Sequence, residues 1–421
     1  MLTYYWPPSG GSSVQRWLKM LKYFPEAGIE PYVITVDPAL ASYPLMDESL
    51  EQDIHPGIRV FKTPTREFYN AYKKLTGKKE IPYAGFINEQ KADWKQIISR
   101  IMRSHFFIPD PRRGWNRFVY RKAIELIQQH DIKTVITATP PHSTQLVGLR
   151  LKKKFSVKWI ADLQDPWTDI YYYGQLYHSA VSAAIDARYE RRVLENADYV
   201  ITVSDSIRNI FKSKSGKIDP DKVMVVPNGF DEEDFREKQD TQPEPFTISY
   251  VGTLNEDYYP LDSFLQAVKG VTATNKKILL RFVGKVSPMA QQKIRETPGI
   301  LTEFIDYVPH TESVKYLMKT NALLLIIPRM DQNEGILTGK LFEYLGSGKR
   351  IVGIGPSQGD AARIIRECGS GDMFDYEKPA AIRKYLDSIM EEAAIKPFDP
   401  DWQKIMHYSR RSQSNMIAQL V

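Results

Sequence analysis

Short apolar, β-branched runs alternate along this chain with longer segments of helical period, the pattern of an α/β protein built on parallel sheets. In the first half, Tyr32–Val36, Thr134–Ala138, Lys158–Ala161, Tyr199–Val203 and Val223–Val226 predict strands. Helices are predicted between and beside them at Ser13–Ala27, Asn116–Gln129, Ser143–Lys154, Ala180–Asn196 and Ser206–Lys212. The rhythm resumes with strands at Thr247–Val251, Ile278–Val283, Ala322–Ile327 and Arg350–Ile354. Its helices are predicted at Leu261–Val268, Ser313–Lys319, Gly339–Gly346, Asp360–Glu367 and Ala380–Glu392. A polar, proline-containing stretch from Asp231 to Pro245 separates the two halves and reads as a linker. The expected domains are therefore residues 1–230 and 231–401. At the start, Thr3 to Gly11 has the look of a strand end and its turn, which leaves only about four residues where strands usually have about five or six. Either Met1 is an internal methionine or the first strand is stunted.

Composition narrows the class. A length of 421 residues suits two domains, and 42% hydrophobic against 26% charged residues suffices for packed cores. The single cysteine, Cys368, excludes an internal disulfide and fits a reducing compartment. The longest wholly apolar run, Ala322–Ile327, is far short of the ~20 residues of a membrane-spanning helix. The N-terminus also lacks a signal-peptide layout, so a cytoplasmic location is expected. A net charge of +6 is too mild to imply nucleic acid as partner. Charge is concentrated between Lys91 and Lys122, where nine Lys and Arg face two Asp among interleaved aromatics. One reading is a solvated helix with buried aromatics. The other is peripheral docking on an anionic membrane, at its inner face, through Arg100, Arg103, Phe106, Phe107, Arg112, Arg113 and Trp115.

Several motifs carry candidate chemistry. Gly10-Gly11-Ser12-Ser13 joins a strand end to a helix start, where backbone N–H groups and the helix dipole favour a phosphate. An ordinary strand–helix turn has the same composition. The run Gly353 to Gly359 has neither the spacing nor the following acid of a dinucleotide fingerprint and reads as a plain turn. Asp219-Pro220-Asp221 and Asp399-Pro400-Asp401 are proline turns rather than metal sites, and zinc spacing is absent, so no metal or cofactor is expected. Asp162 and Asp165 follow a strand and belong at the carboxyl edge of a sheet, where ligands of open α/β folds sit. His142 also follows a strand and opens a helix. The richest stretch is Glu334 to Arg350, in which a loop containing Gly335 and Gly339 leads into a short helix. Its N-terminus, with Thr338 and Lys340, offers a diphosphate cradle. One turn further on, Glu343 could accept two hydrogen bonds from a ribose diol. Leu341, Phe342, Tyr344 and Leu345 make this helix largely apolar, so a carboxylate among them needs a partner.

Taken in order, five segments resemble the family-4 glycosyltransferases, retaining enzymes of the GT-B fold. They are Tyr5 to Gly11, Asn196 to Ser204, Val226 to Asp231, Tyr250 to Leu254, and Phe342 to Lys349. The resemblance implies two Rossmann-like parallel-sheet domains facing a central cleft, with a closing helix near Trp402–Leu420 packing back on the first. It also implies a nucleoside diphosphate sugar donor on the second domain and a glycan or lipid-linked acceptor on the first, in surface polysaccharide biosynthesis. Three departures from the family pattern stand out. Gly335 stands where its first paired glutamate belongs, with Glu334 one place off. Thr253 and Tyr258 stand at its diphosphate-binding cations, and Gln164 at its histidine before the acid. Lys340, with Arg329 as the lesser candidate, is expected to replace the missing cations. The donor-binding set is then Gly10, Gly11, Ser12, Gly252, Thr253, Gly335, Thr338, Gly339, Lys340 and Glu343. Asp165 and His142 are the catalytic candidates, binding sugar or acceptor near the anomeric centre. The alternatives are a nucleotide-sugar epimerase of the same fold and a non-catalytic module that binds nucleotide sugar or nucleic acid.

Overall fold

The computed structural model describes residues 1–67, 104–105, 107–236, 243–255 and 257–421, apart from the side chain of Ser12. Two compact units emerge: Met1–Pro227 with Gln413–Val421, and Asn228–Ser412. The polar tract expected to link them lies partly outside the described residues, at 237–242.

Unit 1 carries the parallel strands β1 (Tyr32–Val36), β2 (Arg59–Thr63), β3 (Thr134–Ala138), β4 (Lys158–Asp162), β5 (Tyr199–Thr202) and β6 (Val223–Val225). β1 pairs with β2, and β3 to β6 pair in sequence order. Between β1 and β3 runs the start of the chain. Leu2 bridges both Ile34 and Thr137 in parallel, and its amide bonds the Ile136 carbonyl at 2.8 Å. The first strand is thus reduced to isolated bridges, as its brevity suggested. Among the described residues, the helices of unit 1 are α1 (Ser12–Leu21), α2 (Asn116–His130), α3 (Ser143–Phe155), α4 (Ala180–Asn196) and α5 (Asp205–Ser213). α1 stops short of the expected Ala27 because Pro25 cannot supply a helical N–H, and a 3-10 turn, Pro25–Ala27, follows. Trp6, Trp17, Ile160 and Ile201 form one core cluster with Ile417 and Leu420 from the end of the chain.

Unit 2 carries β7 (Phe246–Val251), β8 (Ile278–Val283), β9 (Leu301–Ile305), β10 (Ala322–Ile326), β11 (Arg350–Ile354) and β12 (Gly371–Phe374). All are parallel, in the order β12-β11-β10-β7-β8-β9. Its helices are α6 (Asp262–Thr272), α7 (Pro288–Arg295), α8 (His310–Met318), α9 (Gly339–Ser347), α10 (Asp360–Glu367), α11 (Pro379–Ile395) and α12 (Trp402–His407). The final helix, α13, spans Arg410–Ala418. The segment expected to form one closing helix is therefore two, α12 and α13. Every residue of β10 is buried, as a central parallel strand covered on both faces requires. The strand order reverses between β7 and β10, and the crevice outside their carboxyl ends is where a doubly wound sheet takes ligands.

Candidate functional site

The carboxyl ends of β7 and β10 bring together most of the residues singled out in unit 2. After β7 the chain turns through Gly252, whose φ of 128° suits glycine and whose amide bonds the Val283 carbonyl at 2.8 Å. After β10 it passes Pro328 and a 3-10 turn, Asn333–Gly335, to Thr338, the N-cap residue of α9. Asn333 fixes this loop by donating to the Pro328 carbonyl and the Tyr376 hydroxyl, both at 2.8 Å. The Thr338 hydroxyl does not cap the helix, and its oxygen is buried without a hydrogen-bond partner.

From the first turn of α9, Lys340 reaches back over β7. Its ammonium donates to the Tyr250 hydroxyl and lies 4.3 Å from the Tyr250 ring centroid and 5.4 Å from that of Tyr259. No carboxylate among the described residues lies within ion-pair distance of it, the nearest influence being the charge of Glu343. Burial pushes the Lys340 ammonium down to about 8, the Glu343 charge working in the opposite direction. Tyr250 is itself raised by burial and stays a neutral phenol. A desolvated cation held by aromatic rings can receive an anionic ligand. Arg329, the lesser candidate, is instead engaged with Glu377 at 2.7 Å and stacks over Tyr376.

Glu343 is half-buried on α9, while Leu341, Phe342, Tyr344 and Leu345 fill the core. Burial raises its carboxyl, and the charges of His310 and Arg410 counter that rise. The His310 Nδ1 stands 3.9 Å from the Glu343 carboxylate, and its Nε2 pairs with Asp234 at 3.0 Å. None of His310, Asp234 or Arg410 was singled out from the sequence. His310 follows an edge strand without an apolar run, and the three are far apart in the chain.

A different cavity of unit 2, about 670 Å³, opens at the amino edge of the sheet near Phe246, Arg350 and Phe398. It contains none of the candidate residues.

In unit 1, Gly10, His142, Gln164 and Asp165 line one cavity of about 230 Å³, together with Asp110, Trp167, Tyr173 and Asp186. His142 stacks on Trp167 with ring centroids 4.8 Å apart. The Trp167 indole donates to Asp186 at 2.8 Å, and the Tyr173 hydroxyl does so at 3.1 Å. Burial pushes Asp186 up to about 7. Asp165 is exposed to solvent at the cavity, yet the surrounding protein, followed by the charge of Asp162, pushes it up to about 6. Asp162 itself is not at the cavity. It is fully buried, accepting from the Trp17 indole at 2.7 Å and pairing with Arg16 at 3.3 Å. That makes it a brace between β4 and α1. The Gln164 amide donates to the Thr139 carbonyl at 2.8 Å.

Two expectations need correction. The Gly10 amide bonds the Leu45 carbonyl at 3.0 Å, so Gly10 offers no N–H to a phosphate. In the basic stretch, Arg112 and Trp115 are buried, Arg112 bonding the Ser42 carbonyl and Trp115 the Thr63 hydroxyl. Neither can touch a membrane. Arg100, Arg103 and Phe106 lie outside the described residues, and no helix among the described residues is long and apolar enough to cross a membrane.

Residues 83–234 match the family model described as Glycosyltransferase Family 4. No curated protein matches in a sequence search. Among solved structures, HepE of Anabaena in complex with UDP-glucose is similar at a TM-score of 0.56 and 10% identity, over 99% of this chain and 97% of that one. A glycosyltransferase from Rickettsia africae gives a TM-score of 0.58 at 13% identity, over 100% and 96%. WaaG, a glycosyltransferase involved in lipopolysaccharide biosynthesis, gives 0.54 at 11%, over 100% and 98%. At these identities the likeness shows the fold, that of the GT-B glycosyltransferases with their two Rossmann-like domains. The family-4 match and this fold together support a nucleotide-sugar glycosyltransferase.

Proposed function

We propose that this chain is a retaining, metal-independent glycosyltransferase that moves a sugar from a nucleoside diphosphate sugar to a glycan or lipid-linked acceptor of surface polysaccharide biosynthesis. The observation that carries the donor reading is the Lys340 ammonium, held by Tyr250 and Tyr259 at the switch point of the sheet. As the glycosidic bond breaks, negative charge grows on the leaving diphosphate. Lys340 and the first amides of α9 supply fixed positive charge to stabilise it. Glu343, one turn further along α9, takes the ribose diol. The sugar becomes oxocarbenium-like in the transition state, as in other glycosyl chemistry. Asp165 and His142 bind the sugar or acceptor at the unit 1 cavity, where the Trp167 ring and the Asp186 carboxylate hold the wall in place. Retention and the class of acceptor rest on the resemblance to family 4.

HepE is solved with UDP-glucose, which makes UDP-glucose the first donor to test, with other nucleotide sugars beside it. Free nucleoside diphosphate as product, formed undiminished in EDTA, supports transfer without a metal. An isomerised donor would make the chain an epimerase, and the absence of turnover would make it a binding module.

A further inference from the structure

The carboxylate of Glu343 does not stand alone. His310, the first residue of α8, lies exposed at the carboxyl edge of β9, with one imidazole nitrogen on Asp234 at 3.0 Å and the other 3.9 Å from the Glu343 carboxylate. Two acids thus flank one imidazole, each facing a different ring nitrogen, so a doubly protonated ring satisfies both. We propose that His310, oriented by Asp234, is a positioning residue that aims the Glu343 carboxylate at the ribose diol of the donor. This rests on the reading that Glu343 receives the ribose.

Geometry separates this from a simple surface ion pair. A contact that only tied the Asp234 turn to α8 would need no second acid behind the ring. Here the second acid projects from α9, the helix that also carries Lys340. Free rotation of a half-buried glutamate would cost affinity each time a ligand fixed it. A cation beside one carboxylate oxygen reduces that freedom and leaves the other oxygen for the diol. The charged groups acting on His310 are Asp234, Glu343 and Arg410. The Asp234 bond is the largest influence and keeps the ring protonated above its ordinary range, against burial. Arg410, buried to 8% exposure, acts on Glu343 in the same sense as His310.

The test measures calorimetric affinity for the uracil, guanine, adenine and cytosine ribonucleoside diphosphates and for their 2′,3′-dideoxy counterparts. Both ligands of a pair carry the same diphosphate, so titration of Lys340 cancels in their ratio. In the wild type the diol form should bind more tightly, and that preference should fade as pH rises through the titration of His310. His310→Gln should weaken the diol form roughly three- to tenfold, leave the dideoxy form unchanged and remove the pH dependence. Asp234→Asn, which keeps the imidazole, should shift the ratio in the same direction. The double variant with Glu343→Gln should lose no more preference than Glu343→Gln alone. Equal weakening of both forms in His310→Gln, or an unchanged ratio, would make His310 structural and overturn the proposal. A wild type that does not distinguish the two forms would instead defeat the ribose reading of Glu343, and this inference with it.

Discussion

Lys340 occupies the space that a side chain at Gly252 would need: a Cβ on Gly252 would come within 2.5 Å of the Lys340 Cε. The glycine after β7 therefore has two physical reasons to be there, its φ of 128° and the close approach of the cation. Gly252→Ala should push the lysine stem off Tyr250 and add backbone strain of roughly 1–3 kcal/mol. The expected result is a folded protein with a lower melting temperature and weakened nucleoside diphosphate binding. Calorimetry with the folded variant checks this, and full affinity would show that Lys340 is not the anion contact.

Replacing the cation itself separates charge from packing. Lys340→Met keeps the stem but loses a charge-assisted bond of about 1.5–3 kcal/mol, so nucleoside diphosphate should weaken about 10- to 150-fold. Free nucleoside should weaken far less. Equal loss for both would make Lys340 structural and put the diphosphate elsewhere.

The same group predicts a pH dependence. With its ammonium lowered to about 8, Lys340 is charged below that pH and neutral above it. A bound diphosphate favours the charged form, so affinity should fall as pH rises through about 8, and binding near that pH should take up protons. Titrations in buffers of different ionisation enthalpy would show the uptake, which Lys340→Met should abolish.

Asp165 should set an acid limb. Raised to about 6, it carries its charge above that pH and loses it as pH falls. If the carboxylate holds the acceptor or the transferring sugar, turnover should decline below about pH 6. Asp165→Asn should be slow at all pH values without that limb, with the affinity for free nucleoside diphosphate unchanged. A variant as active as the wild type would remove Asp165 from the site.

How much of this was legible in the sequence depends on burial. Strands covered on both faces, such as β10 with its Ala322–Ile326 run, announced themselves by unbroken apolar residues. Among the described residues, the three strands that went unread, β2, β9 and β12, are all at sheet edges. There the half-exposed Arg59-Val60-Phe61-Lys62-Thr63 and Leu301-Thr302-Glu303-Phe304-Ile305 show no such run. The same logic governs the site. Lys340 and Glu343 stood out because polar groups on an apolar helix need a reason. Asp162 looked like a ligand-edge acid because it ends a strand, but its partners Arg16 and Trp17 come from a helix far earlier in the chain. The Asp234–His310 pair, 76 residues apart in sequence, left no local pattern at all.

Whether α9 holds a nucleotide through Glu343 is tested most directly by one titration. Wild type and Glu343→Gln are titrated with the ribonucleoside diphosphate that binds best among the four bases. The exchange keeps the shape of the side chain and removes its charge. The variant, folded as the wild type is, should lose about 1.5–3 kcal/mol of binding free energy as two charge-assisted hydrogen bonds to the ribose weaken. Unchanged affinity in Glu343→Gln would contradict the ribose reading of Glu343.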